Sequence, residues 1–150
     1  MAYGSNESGS WDIYVMDSDG TNRSAIGNAH CEDTCLYPAI SPDGTKVAYS
    51  SNFQMNETPG NHEIYVTTIG GDCCPIRLTN NAAEDAYPEW SPDGTKVVFG
   101  SLRDGNWEIY AANADGQSTP TRLTFDRSSD LDPAWSPDGS QIVFASDRAG

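Results

Sequence analysis

Polar and apolar positions alternate along this 150-residue chain as short runs of β-branched and aromatic residues, each closed off by Gly, Pro, Asp, Asn or Ser. One such run is Lys96-Val97-Val98-Phe99, and the stretch before it, Ser91-Pro92-Asp93-Gly94, has the residues of a tight turn. Proline presets φ at the first corner, aspartate bonds back to the local backbone, and glycine accepts φ > 0 at the exit. A run, such a turn and a second run predict a β-hairpin.

The hairpin recurs. Pro38-Ala39-Ile40-Ser41-Pro42-Asp43-Gly44-Thr45-Lys46 precedes the copy at Pro88, and Pro133-Ala134-Trp135-Ser136-Pro137-Asp138-Gly139-Ser140-Gln141 follows it. Ser-Pro-Asp-Gly begins at Ser41, Ser91 and Ser136, a period of 50 and then 45 residues. Residues 28–80 read as one complete unit, with strands at 37–41, 46–51, 63–68 and 75–79. Residues 81–126 read as a second. Residues 1–27 read as the back part of a unit, because Met1 to Ser5 aligns on Val97 to Ser101 and Trp11 on Trp107. Residues 127–150 read as the front part of another. The longer period comes from five extra residues in the loop 52–61.

Four strands per unit at this period are the mark of a propeller blade. Runs such as Val97-Val98-Phe99 and Glu108-Ile109-Tyr110-Ala111-Ala112 are apolar on both faces, as expected of a sheet sandwiched between two others. The predicted class is therefore all-β, a β-propeller of four-stranded antiparallel blades, with three blade equivalents in this chain. Propellers close with about four to eight blades. Hence the expectation is either a piece of a longer propeller or a homodimer of two half-rings. In the second case Ile142 to Gly150 duplicates Met1 to Gly9, so one copy should lack regular strand pairing.

Charge narrows the partners. With 22 acidic against 8 basic residues the net charge is −14, which argues against nucleic acid and anionic membranes and leaves a cationic partner, such as a basic peptide, open. No apolar run nears the roughly 20 residues that span a bilayer. Met-Ala-Tyr-Gly-Ser-Asn-Glu-Ser has neither the basic region nor the apolar core of a signal peptide, so the chain reads as cytoplasmic as written or as a piece of a longer precursor.

The run from Pro88 through Trp90-Ser91-Pro92-Asp93-Gly94-Thr95-Lys96, Phe99, Ser101, Arg103, Gly105-Asn106-Trp107-Glu108-Ile109-Tyr110 to Arg122-Leu123-Thr124 resembles the TolB-type propeller repeat, which is also found in prolyl-oligopeptidase-like proteins. The match is close over residues 88–124, and weaker copies cover the rest. The resemblance implies a six-bladed ring, a periplasmic or extracellular place and a cell-envelope protein as partner. It also leaves a second reading open, an accessory or gating propeller of a larger hydrolase.

Candidate chemistry is sparse. His62 stands where Trp11 and Trp107 stand in the other units, so it reads as a packing substitute. His30 sits in a loop between units, and no G-x-S-x-G elbow is present. No catalytic residue, metal or cofactor is expected. A metal-dependent lyase on such a propeller would need channel histidines. Asp17-Ser18-Asp19-Gly20 reads as a hairpin turn, since an EF-hand frame would put Val15 and Ile26 at the first and last ligand positions.

Acidic residues before each inner strand, Glu84-Asp85 and Asp130 with Asp132, fall near the mouth of the central channel, and Asp33 precedes Cys35 at the matching place. Two readings stand. They cap backbone N–H groups at blade junctions, or they form an acidic funnel. The four cysteines, Cys31, Cys35, Cys73 and Cys74, lie in one unit at spacings unsuited to zinc. In blade geometry the two pairs emerge on opposite faces, so a Cys31–Cys35 bridge is the one expected in an oxidising compartment, and a vicinal Cys73–Cys74 bond is disfavoured by strain. The function read from these residues is a non-catalytic scaffold for a protein or peptide.

Overall fold

The computed structural model describes residues 1–7, 9, 11–26, 34–53, 60–71 and 74–148. Each Ser-Pro-Asp-Gly stretch closes a hairpin by the same hydrogen bonds. The Asp43 carboxylate accepts from Ser41 Oγ at 2.6 Å, from the Thr45 amide at 3.0 Å and from the Thr45 hydroxyl at 2.9 Å. Ser41 Oγ in turn accepts the Lys46 amide at 2.9 Å. Asp93 and Asp138 repeat this arrangement, and Gly44, Gly94 and Gly139 take φ of 73°, 69° and 71°. Only glycine adopts that backbone without strain. Donors from Ser, the backbone and a second hydroxyl, Thr45, Thr95 or Ser140, hold the three carboxyls down at about 2.

The hairpins build four antiparallel sheets, and no helix occurs among the described residues. The first sheet orders β1 (Ala2–Ser5), β2 (Asp12–Val15) and β3 (Ser24–Ala25). The second orders β4 (Cys35–Ile40), β5 (Lys46–Ser51), β6 (Glu63–Thr68) and β7 (Ile76–Arg77). The third orders β8 (Asp85–Trp90), β9 (Lys96–Ser101), β10 (Glu108–Asn113) and β11 (Thr121–Arg122). The last pairs β12 (Asp130–Trp135) with β13 (Ile142–Ser146).

Second and third strands fall where the apolar runs place them. The outermost strands are shorter than expected: only Ile76 and Arg77 pair with Val66 and Tyr65, and Pro75 has no N–H to offer the ladder. The inner strand of the second sheet starts earlier than expected, at Cys35. The turn 17–20 is a hairpin turn, closed by the Gly20 amide to the Asp17 carbonyl at 3.0 Å.

Both copies of the duplicated strand are paired, β1 with β2 and β13 with β12. Each finds a ladder within its own sheet, so neither needs to be displaced in the single chain.

Packing between sheets explains the doubly apolar strands. Val47 and Tyr49 face the first sheet, where they pack with Ile13, Ile26, Cys35 and Tyr65. Ala48 faces the third and joins Ile64, Val66, Trp90, Val97, Phe99 and Tyr110. Trp90 Nε1 donates across that junction to the Ala39 carbonyl at 3.0 Å. The same repeat residue fares differently at the end of the array: Val98 is 0% exposed and Val143 is 69% exposed.

Since the lowered Asp43, Asp93 and Asp138 values place their contribution above the ordinary carboxylate range, stability should fall as pH drops from about 4 towards 2. Asp93→Asn should flatten part of that acid limb, measured as melting temperature against pH beside the wild type. An unchanged limb would show that the turn carboxylates titrate alike in folded and unfolded chains.

Candidate binding site at the inner strands

Two of the sheet junctions are held by carboxylates out of contact with water, Asp85 and Asp130. Asp85 opens β8 fully buried; its carboxylate accepts from Arg103 Nη2 at 3.0 Å and from Asn81 Nδ2 at 2.7 Å. Its backbone is tied to the preceding sheet, N–H to the His62 carbonyl at 2.9 Å and C=O from Ser50 Oγ at 2.8 Å. Asp130 repeats the arrangement with Arg148, at 2.8 and 2.7 Å to its two oxygens, and its amide donates to the Trp107 carbonyl. Burial pushes the Asp130 carboxyl up, but bonds from Ser146 and Arg148 outweigh it and leave it below the ordinary range.

A second pair of buried carboxylates opens the third strands. Glu108 is satisfied by Arg122 at 2.7 Å, Asn106 at 2.9 Å and Thr124 at 2.5 Å. Glu63 takes the Asn81 amide at 2.7 Å and Arg77 at 3.2 Å on one oxygen, while its buried Oε2 has no hydrogen-bond partner. Burial, with Asp85 nearby, therefore raises the Glu63 carboxyl.

These placements correct the acidic-funnel reading for Asp85 and Asp130. Both are consumed by guanidinium bonds inside the protein and cannot face a ligand without breaking them. Glu84 is half-exposed, but it accepts from the His62 amide and bonds His62 Nδ1, both at 3.0 Å. His62 Nε2 meets Thr34 Oγ1 at 3.0 Å, so this histidine bridges two successive inner-strand approaches rather than only filling a tryptophan's space. Asp33 and Cys31 lie outside the described residues, as do His30 and Cys73. Cys35 is disulfide-bonded, to a partner outside the described residues, and Cys74 is free and exposed.

Among the described residues Asp132 alone of the predicted acids is exposed, and it belongs to a set that the sequence reading passed over. Tyr37, Tyr87 and Asp132 occupy one repeat position, the residue before Pro38, Pro88 and Pro133. All three have left-handed backbones, with φ of 54°, 58° and 49°. Each sits in a bulge that shifts the register of its inner strand, between Leu36 and Ala39, Ala86 and Glu89, and Leu131 and Ala134. Such a conformation costs a side-chain-bearing residue about 1–2 kcal/mol, and strain of this kind gathers at binding and switching sites.

Inner strands β4, β8 and β12 touch in succession, so the bulges bring the three side chains together. The Tyr37 and Tyr87 rings lie 4.3 Å apart at 43°, and Trp107 closes on Tyr87 edge-on at 6.0 Å. A hydrogen bond with Tyr37, burial and the nearby Asp132 carboxylate push the Tyr87 phenol up to about 12. Among the described residues no donor or cation pairs with the Asp132 side chain, and no group of three His, Cys, Asp or Glu could hold a metal. The clue in the sequence was the X-Pro step that opens each repeated motif. A second was the 18-residue interval separating Asp85 from Arg103 and Asp130 from Arg148.

A family model described as TolB beta propeller domain matches residues 1–150. The chain is similar to the structure of a putative TolB from Agrobacterium tumefaciens, at 28% identity and TM-score 0.81, over 97% of this chain and 49% of that one. It is similar to TolB from Acinetobacter baumannii at 32% identity and TM-score 0.74, over 95% of this chain and 34% of that one. The chain thus spans about half the length of the first and a third of the second. A puromycin-hydrolyzing peptidase from Mycobacterium tuberculosis, at 19% identity and TM-score 0.65 over 87% of this chain and 22% of that one, shares the fold. No curated protein matches the chain.

Removing one partner of a buried pair strands the other charge. Arg103→Met should therefore cost about 3 kcal/mol in urea unfolding. The double variant Asp85→Ala/Arg103→Met, which removes both charges together, should recover most of that loss. Equal losses in both would show that the charge pair is not what holds the junction. Glu63 has the opposite sign to Asp130: its raised carboxyl contributes stability below about 4.5 that is lost as pH rises. Glu63→Gln should gain on the wild type between pH 4.5 and 7, read from paired melting curves.

Proposed function

This chain belongs to the TolB beta propeller domain family, and from that premise we propose that it is a non-catalytic scaffold that binds a protein or peptide along its inner-strand edge. The observation that carries this reading is the Tyr37, Tyr87 and Asp132 set: strained, side by side and partly open to solvent, while the acids around it are spent on structure. Aromatic side chains with few torsions supply contact area at low entropic cost, as a recognition surface requires.

We further propose that a second copy of the chain completes the ring. Among the described residues the last sheet pairs β12 with β13, and Val143, the counterpart of fully buried Val98, is exposed. A neighbouring blade would cover it. Because β1 and β13 are both paired in the single chain, closure requires one of them to yield. The more exposed β13 is the better candidate, since Ala2 of β1 packs against the core.

Light scattering on a sizing column should give twice the 16.2 kDa chain mass. A monomer at every concentration would overturn the shared ring. Peptides selected from a random display library against the protein should lose about tenfold in affinity on Tyr37→Asn, since asparagine keeps the left-handed backbone while removing the ring. Selected peptides indifferent to Tyr37→Asn and Tyr87→Asn alike would place binding elsewhere and overturn the reading of this edge.

A further inference from the structure

We propose that the inner-strand edge takes a cationic side chain, a guanidinium or ammonium group, over the Tyr37 and Tyr87 rings and against Asp132. This deepens the scaffold reading and rests on it.

This protein lays guanidinium groups over several of its other aromatic rings. Arg23 lies over Tyr14 at 4.6 Å and Arg103 over Tyr110 at 4.3 Å. Arg122 lies over Phe125 at 5.0 Å and Arg148 over Phe144 at 5.4 Å. The guanidinium–ring contact thus recurs from sheet to sheet, and in the third sheet a carboxylate completes it, since Arg103 also holds Asp85. Tyr37, Tyr87 and Asp132 present the two acceptor components of that arrangement, π faces and a carboxylate, and no described cation fills it. A cation over a ring is attracted by the ring quadrupole and gains further from a nearby carboxylate.

Charge favours the same ligand. The exposed Asp132 carboxylate has no counter-ion among the described residues. A protein of net charge −14 also draws a cationic ligand towards it. The Tyr37 and Tyr87 rings touch each other, which excludes a cage around the cation and places it on their outer faces, beside Asp132.

The test is a nuclear magnetic resonance titration of the full chain, with tyrosine rings labelled, using N-acetylarginine amide and its uncharged isostere N-acetylcitrulline amide. The arginine probe should give saturable shifts of Tyr37 and Tyr87 that weaken with added salt, and citrulline should bind roughly tenfold more weakly. Asp132→Asn, which preserves the left-handed backbone, should weaken arginine binding about three- to tenfold with the melting temperature unchanged. Equal shifts from both probes, or arginine binding that survives Asp132→Asn, would overturn the cation assignment. If neither probe binds but library peptides without Lys or Arg still require Tyr37, the cation inference fails and the scaffold stands. If no peptide requires this edge, both fail.

Discussion

Successive sheets stay in register because a buried residue at the start of each inner strand, a carboxylate in β8 and β12, is pinned from several directions. Asp85 shows the logic. Its backbone bonds to His62 and Ser50 of the preceding sheet, while its side chain is clamped by Arg103 of its own. A charge in that position is costly unless fully paired, and so the arginine, the loop that carries it and the strand it follows are all constrained. The arginine also lies over Tyr110, extending the clamp from the inner strand to the third. Hydrophobic burial supplies the drive to stack sheets, and this polar node fixes how far one sheet slides on the next.

That constraint makes the inner-strand bulge possible. Between the clamped first residue and the Ser-Pro-Asp-Gly turn, each inner strand has one left-handed residue before a proline. Proline disfavours the helical region in its predecessor, and L side chains resist positive φ. The conformation persists because both ends of the strand are held, the first by the carboxylate node and the second by the turn. Strand pairing resumes after the bulge, with Ala39 opposite Ala48 and Glu89 opposite Val98. One residue is thereby turned out of the ladder in each blade, Tyr in two repeats and Asp in the third.

The fold was legible because repetition multiplies weak signals. A single Ser-Pro-Asp-Gly predicts a turn; three copies at blade spacing predict the array, and β5, β6, β9 and β10 start where the runs start. The site was less legible for a physical reason. Whether a carboxylate near a strand start faces solvent or a guanidinium depends on a partner 18 residues away, and hydrophobic periodicity carries no such information. Hence Asp85 and Asp130, which the sequence leaves open as caps on backbone N–H groups or as an acidic funnel, are buried partners of guanidinium groups, whereas Asp132, two residues beyond Asp130, is exposed. Tyr37 and Tyr87 are not singled out by the sequence, since nothing in one dimension marks a positive φ at a non-glycine residue. His62 was placed at the right repeat position, but its bonds to Glu84 and Thr34 link residues brought together only by stacking.

The second sheet shows how the node can change without losing the array. Cys35 stands where Asp85 and Asp130 stand, and Phe53 where Arg103 and Arg148 stand, so acid and base have been exchanged together. Replacing one alone would leave an uncompensated charge; replacing both with less polar groups is close to neutral. The backbone bond survives the exchange, since the Cys35 amide still donates to the Trp11 carbonyl at 3.0 Å, as Asp85 does to His62. What the architecture requires at this point is a buried, satisfied side chain on a tethered backbone, and the charge pair is one solution among others. The left-handed residue two places further on is then free to be Tyr or Asp, because its side chain leaves the packed layer and answers to whatever the edge must hold.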